Sequence, residues 1–311
     1  MKKIINPFCE YFPVKQNNLE YIVSNVFKPE ISFKEKDNSL IALVKERVYT
    51  IFELGDILNY PGKKIKGSNS YFQGSIIGEN MLFLIMNELI IDTQKKIRKN
   101  PNIKSECGVI KEKDKNIGKE FVVTYNDKYL LKHKGKINFT ILEKSHEMDP
   151  SYSYHQEKHG LEATEIDGMG YFHCGYMKDK GIDYSDKHTL RILLIGEAKT
   201  SSNPKRLKKW GNNNNHDNSK SILNKVLNPI VSLYRNHELV YVFLAPENIL
   251  WDNKSHKLNE LPSRIVQQLE YADISTILIP FPNMPKKFDY YTGKIADIMK
   301  LTRKTKKFHK K

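Results

Sequence analysis

Arg191-Ile-Leu-Leu-Ile-Gly-Glu-Ala-Lys199 is the stretch on which the fold turns. Its nearly continuous apolar run is what a strand covered on both faces requires, because neither alternate face can then be polar. Leu239-Val-Tyr-Val-Phe-Leu-Ala245 and Thr276-Ile-Leu-Ile-Pro-Phe281 read the same way. Between the first two strands, Ser219 to Asn236 carries Ile222, Val226, Ile230 and Leu233 near helical spacing, with Pro229 kinking or splitting the helix. Between the last two, Pro262 to Ala272 carries Ile265, Val266 and Leu269 on one stripe, and Pro262 suits a first helical turn. Strand, helix, strand, helix, strand implies an α/β sheet with parallel crossovers.

Working outward, Ser75 to Lys95 reads as a helix that is apolar nearly all round and therefore buried. Gly160 to His173 reads as a strand entering Asp167, thinned on one face by Gly168 and Gly170. Residues 100–159 are lysine-rich, with hairpin strands expected at Glu120 to Tyr125 and Lys136 to Leu142. Residues 1–70 read as a separate N-terminal block with a strand over Ser39 to Phe52, and residues 291–311 as a basic tail.

Lysine and arginine number 51 against 36 acidic residues, a formal charge of +15. That excess favours a polyanionic partner, since neutralising phosphates releases condensed counterions. A chain so rich in Lys, Asn and Ile also fits an AT-rich genome, so charge alone leaves the partner open. The most apolar stretch, Ile76 to Ile91, is interrupted by Glu79, Asn80, Asn87 and Glu88. No run approaches the roughly 20 apolar residues that span a bilayer. Three scattered cysteines, Cys9, Cys107 and Cys174, argue against a disulfide framework and for a reducing compartment. The expectation is a cytoplasmic protein with no membrane partner.

The chemistry concentrates in Glu165-Ile-Asp167-Gly and Gly196-Glu197-Ala-Lys199. Side chains alternate along a strand, so Glu197 and Lys199 share one face while Ala198 turns to the other, and Glu165 and Asp167 also share a face. Two neighbouring strands would then gather carboxylates and one ammonium at a single point. Hard carboxylate oxygens suit Mg²⁺ bound together with substrate phosphate. Lys199 could orient or deprotonate an attacking water, or stabilise a developing oxyanion. Two further groups stand out. His155-x₃-His159 with His173-Cys174 offers zinc-ligand types at a spacing that fits no common module. Lys205, Arg206, Lys208 and Lys209, directly after Lys199, form a basic loop able to grip backbone phosphates.

Gly78-Glu79 at the start of the long helix, Glu165-Ile166-Asp167-Gly168, and Ile195-Gly196-Glu197-Ala198-Lys199 together resemble the PD-(D/E)XK nuclease superfamily, best known from type II restriction endonucleases. Ile166 stands where the family's name has proline. The likeness runs from about Ser75 to Phe281, within a nuclease region of residues 71–290 that carries residues 100–159 as an insertion. It implies a central mixed sheet with flanking helices, Asp167 and Glu197 as Mg²⁺ ligands, Lys199 as the catalytic lysine and Glu79 as a supporting acid. Glu88 is the rival helical acid, closer to the Ile77, Met81, Leu84, Ile85 stripe. By analogy the activity would be site-specific hydrolysis of double-stranded DNA by a homodimer, with the N-terminal block and the insertion supplying recognition. The alternatives are a repair, junction-resolving or RNA-cleaving nuclease, or a nucleic-acid-binding protein that does not cut.

Neutralising Lys205, Arg206, Lys208 and Lys209 together should weaken DNA binding and flatten its salt dependence. Each lost phosphate contact should reduce the slope of log K against log salt by about 0.9. A salt titration in Ca²⁺ reads this directly, and an unchanged slope would return the loop to the solvated surface.

Overall fold

The computed structural model describes residues 3–17, 20–36, 39–53, 78–113, 120–125, 129–132, 168–200 and 237–282. After a 3-10 turn at Cys9–Tyr11 come β1 (Val14–Asn17), β2 (Glu20–Ile22), β3 (Ser32–Lys36), β4 (Ser39–Val44) and β5 (Arg47–Glu53). Then follow α1 (Gly78–Ile97), β6 (Ile103–Lys113), β7 (Glu120–Tyr125), β8 (Tyr129–Lys132), β9 (Gly168–Lys178), β10 (Gly181–Ile182) and β11 (Leu190–Ala198). β12 (Glu238–Ala245), α2 (Glu247–Leu250), α3 (Glu260–Glu270) and β13 (Ser275–Pro280) complete the described elements.

The architecture is α/β around one mixed sheet, ordered β13-β12-β11-β9-β6-β7-β8, with β10 paired to the end of β9. β11, β12 and β13 are mutually parallel. β9, β6, β7 and β8 continue the sheet in antiparallel steps. The α3 helix lies between β12 and β13 where the 262–272 stripe expects it, with Pro262, Ile265, Val266 and Leu269 buried. The helix expected over 219–236 lies outside the described residues.

β11 is apolar throughout because both its faces are covered. Ile192, Leu194 and Ala198 join a core with Met81, Leu82 and Met86 of α1. Leu193 and Ile195 join a second core with Ile265, Val266 and Leu269 of α3 and with Trp251. A side chain fully buried in either contributes about 1.5–3 kcal/mol, before the entropy of ordering it.

Three expectations are corrected. Residues 3–53 are not a separate block: Ile4, Phe8, Leu40, Ala42 and Ile51 belong to the α1 core. Phe8 also packs edge-on against Phe172 at 5.3 Å, and Tyr21 donates a 2.6 Å hydrogen bond to Glu270 of α3. The single strand over 39–52 is two antiparallel strands, because the chain reverses at Lys45, whose φ is 55°. No Gly or Asn announces this turn, so only the pairing reveals it. Part of the expected insertion is central sheet, since β6 lies between β9 and β7. Residues 168–173 of the strand expected over 160–173 lie in β9, which runs on to Lys178, while 160–167 lie outside the described residues. In the expected hairpin, β7 matches Glu120 to Tyr125 and β8 pairs with it at Tyr129–Lys132, while 136–142 lies outside the described residues.

A buried ion pair fastens the β4–β5 hairpin to α1. Arg47 Nε and Nη2 donate to the two Glu88 oxygens at 2.6 and 2.5 Å, and the Tyr49 hydroxyl donates to Glu88 Oε1. Asn87 Nδ2 donates to the Tyr49 oxygen at 2.5 Å. Burial, and then the Glu88 charge, raise the Tyr49 hydroxyl above its ordinary pKa, so it stays a donor. Glu88→Ala should destabilise the protein by about 3–5 kcal/mol, because it leaves a buried guanidinium unpaired. Replacing Arg47 by Leu in the same chain should restore part of the loss in urea unfolding. Single-variant stability within about 0.5 kcal/mol of wild type would show that the tie does not hold the hairpin.

Candidate active site

The parallel pairing of β11 with β12 carries Glu197 opposite Phe243 and Ala198 opposite Leu244. The Lys199 N–H then donates to the Leu244 carbonyl at 2.8 Å, which holds the backbone of the Glu-x-Lys segment past the strand's last residue. Ala198 is buried in the α1 core, so alternation turns Glu197 and Lys199 to the opposite face, that of Leu193 and Ile195. Glu197 is 3% exposed. Lys199 is half-buried, and its Nζ donates to Glu197 Oε1. A buried carboxylate is tolerated only when hydrogen-bonded or paired, and Lys199 supplies one such contact.

On the other side of β11, antiparallel pairing with β9 runs from Leu190↔Cys174 to Gly196↔Gly168. The residue preceding Gly168 is Asp167. Asp167 and Glu165 lie outside the described residues, as do Lys205, Arg206, Lys208 and Lys209 of the basic loop. Gly168 itself faces Gly196, the residue next to Glu197.

Glycines in this region admit α1 unusually close. A Cβ at Gly196 would stand 2.6 Å from Met86 Sδ and 2.8 Å from Leu82 Cδ2, and one at Gly168 would stand 3.3 Å from Leu82 Cδ2. A Cβ at Gly170 would stand 3.0 Å from Ile90 Cδ1. Leu82, Met86 and Ile90 are successive turns of one helix stripe, so α1 points its N-terminal end toward the Glu197 end of the sheet. The backbone of Glu79, three residues before Leu82, stands one turn further in that direction, and its side chain is outside the description. Glu88 is two turns away and occupied by Arg47 and Tyr49. Of the two helical acids, only Glu79 occupies the end of α1 near Glu197.

His155 and His159 lie outside the described residues, and the adjacent His173 and Cys174 turn to opposite faces of β9. Cys174 enters the α1 core, where burial and then the charge of Glu238 push its thiol up to about 12. His173 lies across from Arg191 and Glu106, near Tyr184 and His237. Sequence reading passed over this row; its signal was alternation along β11, which puts Arg191 on the face of Glu197 at the other end of the strand. Among the described residues, no three His, Cys, Asp or Glu side chains gather closely enough to hold a metal ion. Of the two expected Mg²⁺ ligands, the described one, Glu197, offers the hard oxygen donor such an ion takes.

Gly196→Ala should cost about 1–3 kcal/mol by forcing α1 away from β11. Combined with Met86→Ala the loss should be less than additive, because the clashing sulfur is gone. Full additivity in denaturant unfolding would mean that this contact does not set the spacing of helix and sheet. No family model, curated protein or solved structure matches the chain.

Proposed function

We propose that the chain is a Mg²⁺-dependent endonuclease that hydrolyses phosphodiester bonds of double-stranded DNA at a short specific site, acting as a homodimer. The observation that carries this reading is the end of β11. A buried Glu197 is in contact with Lys199 there, beside the β9 terminus that follows directly on Asp167. The formal charge of +15 supports a polyanionic substrate.

In this reading Glu197 and Asp167 hold the ion through carboxylate oxygens, and Glu79 supports them from the first turn of α1. A bound Mg²⁺ supplies charge neutralisation at the scissile phosphate and a lowered pKa for a bound water. Lys199, fixed by its backbone bond to Leu244, presents its ammonium to the attacking water or to the developing oxyanion. The cores on either face of β11 exclude water from behind the site, so its charges act in a low effective dielectric. Site specificity and the dimer rest on analogy with type II restriction enzymes.

Asp167→Ala and Glu197→Ala should abolish Mg²⁺-dependent cleavage of plasmid or unmethylated phage DNA while leaving affinity in Ca²⁺ largely intact. Lys199→Ala should lower the single-turnover rate by orders of magnitude, and Glu79→Gln should slow cleavage with little change in melting temperature. Wild-type rates in both Asp167 and Glu197 variants would sink the assignment. Tight binding without cleavage by the wild-type protein would favour a non-cutting DNA-binding protein. Discrete bands would support site specificity, and a smear would point to a repair-type enzyme.

A further inference from the structure

At the end of β11 remote from Glu197, about 20 Å away at roughly 3.3 Å per residue, a second polar cluster crosses the sheet. Glu106 of β6 pairs with His173 of β9, and His173 pairs with Arg191 of β11. His237 directly precedes β12, whose Glu238 pairs with Ile192, and its ring centroid is 5.4 Å from that of His173. Arg191 donates from Nη2 to the Tyr184 carbonyl at 3.0 Å and lies over the Tyr184 ring at 5.4 Å. Among the described residues it has no carboxylate partner.

The Tyr184 hydroxyl donates to Glu106 Oε2 at 3.0 Å, and it therefore accepts from His173 Nδ1 at 3.2 Å. That relay fixes the imidazole with its proton on Nδ1, and Nε2 is left as a bare acceptor. His173 is 1% exposed, and Nε2 has no hydrogen-bond partner among the described residues. Burial, then His237 and Arg191, hold this ring down to about 3, so it stays neutral at physiological pH. Arg191, Tyr184 and His237 are half-buried, so the row reaches the surface.

An unpaired guanidinium beside a bare, buried acceptor matches a ligand that carries both negative charge and its own proton. We infer that Arg191 and His173 form a binding site for a hydrogen-phosphate group, inorganic phosphate or a phosphate monoester. Its anionic oxygens pair with Arg191, and its P–O–H donates to His173 Nε2. Glu106 accepts from the Tyr184 hydroxyl, which lies on the Nδ1 side of the imidazole, opposite the Nε2 that would take the ligand's proton. A metal ion suits the row less well, since the Arg191 charge would repel it. The inference is independent of the endonuclease reading.

The test measures melting temperature against phosphate, sulfate and dimethyl phosphate at pH 7, with ionic strength held constant by NaCl. Phosphate should raise it saturably, as RT ln(1 + [L]/Kd) requires. Sulfate and dimethyl phosphate, which carry no proton at that pH, should not. Arg191→Gln should remove the response and Lys199→Ala should keep it, which separates this site from the Glu197 end. In wild-type protein, the ¹⁵N resonance of His173 Nε2 should shift with phosphate, a readout that needs no variant to fold. No saturable response in the wild type, an equal response to sulfate, or a response surviving Arg191→Gln would overturn the inference. Stabilisation by Zn²⁺ in place of phosphate would overturn it too.

Discussion

The close approach of α1 to the glycines of β9 and β11 is the contact on which the rest of the structure depends. Leu82 and Met86 occupy space that any side chain at Gly196 would need. Because interiors are packed as densely as organic crystals, that contact sets both the depth and the axial position of the helix. It places the first turn of α1 at the Glu197 end of the sheet, and it puts the later turns where Glu88 meets the N-terminal hairpin. Ile4, Phe8 and Ile51 belong to the same core, Phe8 packing against Phe172 of β9.

With both faces of the parallel strands sealed, polar chemistry is confined to the strand ends. β11 shows this plainly, since along one face it presents Arg191, then Leu193 and Ile195 in the α3 core, then Glu197 and Lys199. Each charged end is stabilised locally. Lys199 meets Glu197 at one end, and Arg191 stacks on Tyr184 at the other. Away from the strand ends, the Arg47–Glu88 pair is matched by geometry: it is bidentate and receives a further bond from Tyr49. An unmatched charge there would cost more than the packing around it returns.

Residues that look alike in sequence therefore take different parts. Glu79 and Glu88 lie on one helix, yet Glu88 is held by Arg47, a residue of a hairpin that no local signal announces. His173 and Cys174 are neighbours, yet strand alternation sends one into a polar row and the other into the core. A list of candidate ligands drawn from sequence neighbourhood cannot separate such cases, because the separation is made by which strand lies alongside.

By itself the sequence determined the elements whose signal is periodic and long. The apolar runs of β11, β12 and β13, the α3 stripe with Pro262, and the all-round apolar α1 are legible because burial on two faces leaves no freedom in residue type. The same alternation made the shared face of Glu197 and Lys199 legible, with Ala198 turned away from them. Only the tertiary structure decided what depends on pairing. The reversal at Lys45 carries no glycine, β6 is central although its sequence is half charged, and the N-terminal segment fills both cores instead of standing apart. Those features come from contacts between residues distant in the chain, and their free energy exists only once the sheet has assembled.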